Sequence, residues 1–267
     1  MTIFDPHIRS QSQSEDSLKH LNYFGTQGVL TTAYGHRRFA NADDLIAYFD
    51  DLVGVERQRL NRCGLDGWVA LGVSPEAEPE RAHGSVWPAL QERLQRSEVV
   101  ALGEVGVWRD EEAQWELFQR QVRIARQLGS MPIVVTPPAE LKITMTYKMM
   151  TWLERFGYPA DRVVMGFMDE ALLENVVASG FKAAVPLGAT TNPPRRSAAF
   201  IAKVAREQGA DSILLTASMR AGAGDVLGVP KVMEALAKEE GIDAAMIDRM
   251  VRANATELFL GDAHWGR

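Results

Sequence analysis

The stretch Val99–Thr136, VVALGEVGVWRDEEAQWELFQRQVRIARQLGSMPIVVT, decides the fold. Val99–Val105 is short and nearly continuous in apolar residues, as a strand buried on both faces requires. Glu111–Leu128 follows with helical periodicity, Gly129 stands where that helix should stop, and Pro132–Thr136 is apolar again. This is one β-α-β repeat. The same alternation extends in both directions, with further strands expected at Thr2–Asp5, Gly28–Ala33, Gly67–Val73, Arg162–Met165, Phe181–Pro186 and Ser212–Thr216. Helical stretches lie at Ala42–Arg62, Leu141–Phe156, Arg195–Gln208, Val229–Glu239 and Ala244–Ala253, and Gly64, Gly157, Gly180, Gly209 and Gly241 mark further stops. Eight such units in 267 residues predict α/β architecture: a single (β/α)8 TIM barrel spanning 1–267 as one domain. A doubly wound open sheet is the competing arrangement, but the G-x-G-x-x-G turn after its first strand is absent.

Composition narrows the classes. With 35 acidic and 29 basic residues, a net charge of −6 and no block of like charge, the chain offers a nucleic-acid backbone no general attraction. The one cysteine, Cys63, rules out an intramolecular disulfide and a structural zinc thiolate cluster. No apolar stretch is long enough to cross a bilayer, and the N-terminal MTIFDPHIR lacks the regions of a secretory signal. A protein of the reducing cytoplasm, with no membrane partner, is expected.

In a barrel, chemistry gathers at the C-terminal ends of the strands. Alternate residues of an extended strand point the same way, so Asp5, His7 and Arg9 can share the mouth. Glu104 closes an otherwise apolar strand, and a carboxylate there must be paired, protonated or bound. The strand-end segments Thr32–His36, Glu104–Trp108, Thr136–Pro138, Gly166–Glu170 and Thr216–Asp225 hold the further candidates. His20, His83 and His264 are expected on the surface. The Arg195-Arg196 pair reads as a solvated helix start, and the methionines of the second half as core fillers.

From Phe4 to about Leu260 the chain resembles the TatD-related branch of the amidohydrolase superfamily. The resemblance is carried by Asp5-Pro6-His7-Ile8, the helix around Tyr48–Gly54, Ala101–Gly106, Asp161–Val164, Asp225–Lys231 and Asn254. It implies a (β/α)8 barrel holding one or two divalent metals at its mouth and hydrolysing phosphoester or amide-type bonds. The departures matter as much. The family's first strand ends in His-x-His, and here Arg9 replaces the second histidine. Thr136 stands at the fifth-strand histidine, Gly166 or Phe167 at the sixth-strand histidine, and Arg220 near the eighth-strand aspartate, with Asp225 the nearest surviving acid.

Of the imidazole ligands only His7 survives. His7, Glu104 and Asp225 are the candidate set for one metal, zinc or manganese, and the alternative is none at all. Catalytic zinc usually has three protein ligands and an open position, whereas a guanidinium is a permanent cation that donates rather than coordinates. The substitutions suggest that Arg9 and Arg220 supply fixed positive charge in place of the metal, with a small anionic molecule as ligand and His7 or Glu104 as general acid or base. Catalytic roles thus fall to His7, Glu104, Arg9 and Arg220, and ligand contacts to Thr136, Trp108, Phe167 and His36. The alternatives are a non-catalytic descendant binding a metabolite or a partner protein and a conventional two-metal phosphoesterase or nuclease.

Overall fold

The computed structural model describes residues 1–33, 39–75, 84–188, 192–220 and 224–261. Eight parallel strands follow one another round the barrel in chain order. They are β1 Ile3–Ile8, β2 Thr26–Thr32, β3 Asp66–Leu71, β4 Val99–Val105, β5 Ile133–Val135, β6 Val163–Met165, β7 Lys182–Pro186 and β8 Ile213–Thr216. The helices between them are α1 Glu15–Tyr23, α2 Ala42–Asp51, α3 Arg57–Arg62, α4 Val86–Arg93, α5 Glu112–Gln127, α6 Lys142–Phe156, α7 Leu173–Ala178 and α8 Pro194–Gln208. After β8 come α9 Gly228–Leu236, α10 Ala244–Asp248 and α11 Asn254–Leu260. Short π-helical turns at Leu52–Glu56 and Arg249–Ala253 join α2 to α3 and α10 to α11. The predicted TIM barrel is therefore the observed one, with a difference at its first strand. β1 continues through Ile8 instead of ending at Asp5, because its edge stays hydrogen-bonded to β2 as far as Thr31.

One inward-facing residue from each strand fills the barrel axis: Phe4, Leu30, Ala70, Ala101, Val134, Val164, Ala184 and Leu214. Large and small side chains share this layer, and Ala255, Leu258 and Phe259 of α11 pack into the same cluster. Asn254 fixes α11 there, its side-chain amide donating to the carbonyls of Ala210 and Ile213 just ahead of and within β8. The N-terminal end is thus plugged, and the C-terminal end is left for a site. No helix among the described residues is long and apolar enough to cross a membrane.

β8 and β1 share no continuous backbone ladder, so side chains close the seam. The Asp5 carboxylate accepts from Ala217 N at 2.8 Å and lies 2.6 Å from Thr216 Oγ1. Beyond it, Arg9 N donates to the Met219 carbonyl at 2.8 Å.

Phe4 is wholly buried in the axial layer. Phe4→Ala is expected to cost about 3–5 kcal/mol in a denaturant unfolding curve, since the closed layer cannot collapse into the gap. His20→Ala on exposed α1 should change stability by less than about 0.5 kcal/mol.

Candidate functional site

His7 and Arg9 come from the end of β1, and Glu104 from the end of β4. Arg9 meets Glu104 as a fork, Nε donating to Oε2 at 2.9 Å and Nη2 to Oε1 at 2.6 Å. His7 Nε2 approaches Oε2 at 3.5 Å. All three side chains are buried. Burial alone would raise the Glu104 carboxyl; the Arg9 charge and the His7 contact overcome it and hold the group well below the usual carboxylate range. Glu104 is therefore an ionised base whose two oxygens are already engaged.

The segment after β1 is held by a residue that sequence reading missed. Arg59 donates to the carbonyls of Ser10 at 2.7 Å and Gln13 at 3.1 Å, and Glu56 holds the Arg59 guanidinium at 2.7 Å. At the end of β4, Gln114 Oε1 accepts from both Trp108 N and Arg109 N at 2.7 Å. Gly106 has to be glycine, because a β-carbon there would sit 2.2 Å from the Thr136 carbonyl oxygen. These contacts were invisible in the sequence because each joins residues distant in the chain or uses a common side chain with no motif around it.

Asp5 was read as facing the mouth, and it lies instead at the seam. Burial pushes its carboxyl up to about 6, against hydrogen bonds from Thr216, His7 and Ala217 that pull it down. Counting protons agrees with the raised value. Thr216 Oγ1 has one hydrogen and faces two acceptors, Asp5 Oδ1 at 2.6 Å and the His7 carbonyl at 2.9 Å. A protonated Asp5 donates to Thr216 and frees that hydroxyl for His7, so every oxygen is satisfied.

Phe167 and Arg220 join the centre from β6 and β8. The Phe167 ring stands 5.1 Å from the His7 ring, with Arg9 Cζ at 5.9 Å and Arg220 Cζ at 5.6 Å from its centroid. The backbone of Phe167 is left-handed, at φ 60°. Thr136 is buried beside His7: a β-carbon placed on Gly166 would meet Thr136 Cγ2 at 2.8 Å and His7 Cε1 at 3.5 Å. Both Thr136 Oγ1 and His7 Nδ1 are sealed from solvent with no hydrogen-bond partner, which costs about 1–3 kcal/mol for each group. Arg220 is half-buried, and its side chain makes no hydrogen bond or ion pair among the described residues.

Of the sequence candidates, the structure therefore gathers His7, Arg9, Glu104, Thr136, Phe167 and Arg220. Trp108 lies at the end of β4, its Nε1 3.4 Å from the position of a Gly106 β-carbon, on the Thr136 carbonyl side. Asp225 is not brought to His7 and Glu104. Its carboxylate accepts from Leu227 N and Lys231 Nζ, both at 2.9 Å, at the start of α9. His36 lies outside the described residues, as do His83 and His264.

The described residues do not by themselves make a ligand set for a divalent ion. Among the described residues no three His, Cys, Asp or Glu side chains gather to hold one. The Glu104 oxygens face a guanidinium, and Asp5 is turned into the seam. What the described residues bring together is an engaged carboxylate, an imidazole beside it and a half-buried cation, Arg220.

Comparison with known proteins gives a consistent frame. A family model described as TatD related DNase matches residues 7–260. An uncharacterized metal-dependent hydrolase of Methanocaldococcus jannaschii is 22% identical over 260 residues, 95% of this chain and 98% of that protein. The crystal structure of a TatD-like protein from Archaeoglobus fulgidus superposes with a TM-score of 0.79 at 23% identity, covering 96% of this chain and 99% of that one. A phosphotriesterase homology protein from Escherichia coli, crystallised with phosphate in its active site, follows at TM-score 0.72 and 14% identity, covering 97% and 98%.

Two expectations follow for the charged groups. Arg9→Met strands Glu104 as a buried charge and should cost about 3–5 kcal/mol in urea unfolding, whereas Arg9→Met with Glu104→Met should recover most of that loss. For Asp5, the folded value near 6 exceeds the ordinary 3.8. The native state therefore binds the proton more tightly, and the stability this contributes is present below the unfolded value and lost as pH rises toward 6. Unfolding free energies measured at about pH 3.5 and about pH 7 should differ between wild type and Asp5→Asn by about 3 kcal/mol in that sense. Equal slopes would exclude a raised Asp5.

Proposed function

We propose, for a chain that belongs to the TatD related DNase family, that the barrel mouth binds a small oxyanion by guanidinium charge where relatives use a metal. The TatD-like metal-dependent hydrolase fold is the coarse statement, and the finer one concerns this mouth. The observation that carries it is Arg220, a guanidinium with no ion pair or hydrogen bond among the described residues, standing 5.6 Å from the Phe167 ring beside the Arg9–Glu104 pair. Charge-assisted bonds from a guanidinium suit carboxylate and phosphate alike. Phosphate in the active site of the Escherichia coli neighbour supports phosphate as a first probe.

In this reading each residue has one task. Arg9 holds Glu104 ionised and immobile, Glu104 orients His7 through Nε2, Arg220 pairs with the anion, and His7 Nδ1 is the group that exchanges a proton with it. Hydrolysis of a small anionic substrate is the reaction class the fold favours, and nuclease action is disfavoured because the described residues of the mouth gather no metal-ligand set and the net charge is −6. The buried thiol of Cys63 suits a reducing cytoplasm. A second reading, a non-catalytic binder, is favoured by one observation: His7 Nδ1 and Thr136 Oγ1 are closed off from solvent.

Calorimetric titration with inorganic phosphate and with a small dicarboxylate tests the anion site. Arg220→Gln should weaken the tighter of the two by roughly 10- to 100-fold, the worth of a charged hydrogen bond. Metal analysis of the purified protein tests the other side: one equivalent of zinc or manganese that disappears in His7→Ala would overturn the guanidinium reading. Turnover of a small phosphoester or lactone, lost in His7→Gln, would separate an enzyme from a binder.

A further inference from the structure

The polar atoms nearest the proposed anion site are the ones no ligand can touch as the structure stands. His7 Nδ1 and Thr136 Oγ1 are both sealed and both without a partner. They flank Gly166, whose missing side chain lets Thr136 and His7 come together. The next residue is Phe167. Its ring lies against His7 at 5.1 Å and is half-buried. Its backbone is held at φ 60°, a conformation that side chains other than glycine and asparagine rarely adopt. Neither guanidinium beside the ring fixes it by a directional bond: Arg9 and Arg220 approach only its π system, at 5.9 and 5.6 Å. The closed arrangement thus combines strained backbone with two unsatisfied polar groups. A ring serving only as core filler would have no need of either.

We propose that Phe167 is a gate over an oxygen-binding subsite formed by His7 Nδ1 and Thr136 Oγ1. An oxyanion paired with Arg220 competes for the cation that rests on the Phe167 ring. As the ring turns out, a protonated oxygen of the ligand takes its place, accepting from Thr136 Oγ1 and donating its hydrogen to His7 Nδ1, while the remaining oxygens stay on Arg220. Opening satisfies both buried atoms, so the subsite is latent in the closed form and complete only around a ligand. The proposal rests on the anion reading of the mouth and adds to it two recognition groups and the residue that controls access to them. It also accounts for a sealed imidazole in a site that would need one.

The test uses two readouts on the intact protein. Carbethoxylation of histidines by diethyl pyrocarbonate, followed by peptide mass spectrometry, reports access to His7, with exposed His20 as the internal reference. In wild type His7 should react at least about tenfold more slowly than His20, and Phe167→Ala should raise the His7 rate by roughly tenfold or more with His20 unchanged. Phe167→Leu, which keeps more of the packing, should give a smaller rise in the same direction if the alanine variant folds poorly. Inorganic phosphate should slow His7 modification in Phe167→Ala. Thr136→Val, close in shape but lacking the hydroxyl, should weaken phosphate binding about five- to tenfold. A His7 rate unmoved by either Phe167 variant, or phosphate affinity unmoved by Thr136→Val, would overturn the gate. Loss of the anion reading looks different: phosphate would not bind even wild type, whereas a failed gate leaves Arg220-dependent binding intact with His7 still sealed.

Discussion

Arg9 and Glu104 face each other across the mouth of the barrel with both side chains almost wholly out of water. Neither charge could remain there alone, since an unpaired buried ion costs several kcal/mol, and the forked geometry is what makes the pair tolerable. Much of the site follows from this contact. It joins the ends of β1 and β4, keeps the carboxylate ionised, turns the His7 imidazole so that Nε2 faces Glu104, and leaves Arg220 as a cation at the mouth with no ion pair among the described residues. The same contact engages both carboxylate oxygens with a guanidinium, which leaves Glu104 little to offer a divalent ion.

β1 does a second thing. Its Asp5 side chain stands in for backbone bonds that β8 and β1 do not make, and its burial favours the protonated form. One six-residue strand thus closes the barrel through its acid at one register position and builds the site through its imidazole two residues later. Because alternate residues share a face, the strand cannot slip by one position without losing both. The seam and the site are therefore set by one register.

The architecture was legible because a barrel writes itself in period: apolar runs of strand length, each followed by an amphipathic stretch, recur along the whole chain. Strand starts and ends from sequence fall close to the observed ones at β4 and β7, where Val105 and Pro186 end the runs. Three short helices, α1, α4 and α7, carry too few turns to show a periodicity and were not delimited beforehand. At the mouth, His7, Arg9, Glu104, Phe167 and Arg220 could be picked out because charged or aromatic residues at the ends of buried strands are conspicuous. Partnership could not be read. Nothing in the sequence says that Arg9 grips Glu104 rather than a ligand, or that Asp225 turns away to Lys231 and the start of α9. Those outcomes depend on angles round the barrel, which strand order fixes only coarsely.

The proposed exchange of a metal for a guanidinium would be more than a substitution of one positive charge for another. A bound divalent ion supplies charge and also an open coordination position, at which a water is acidified. A guanidinium supplies the charge and the geometry of its fork but no such position, and it cannot release a proton at physiological pH. In that reading proton movement in this mouth passes through a side chain, and among the described residues gathered there His7 is the one imidazole. Its Nε2 is taken up with Glu104, so Nδ1 is the atom left for the task, and that atom lies sealed beside Phe167. A barrel that gave up its metal ligands and kept its chemistry would need a way to uncover this nitrogen; one that gave up the chemistry as well would have no reason to keep it aligned by a buried carboxylate. The alignment of His7 by Glu104, maintained at the expense of desolvating three polar groups, is why a functional mouth is the more economical account of these residues.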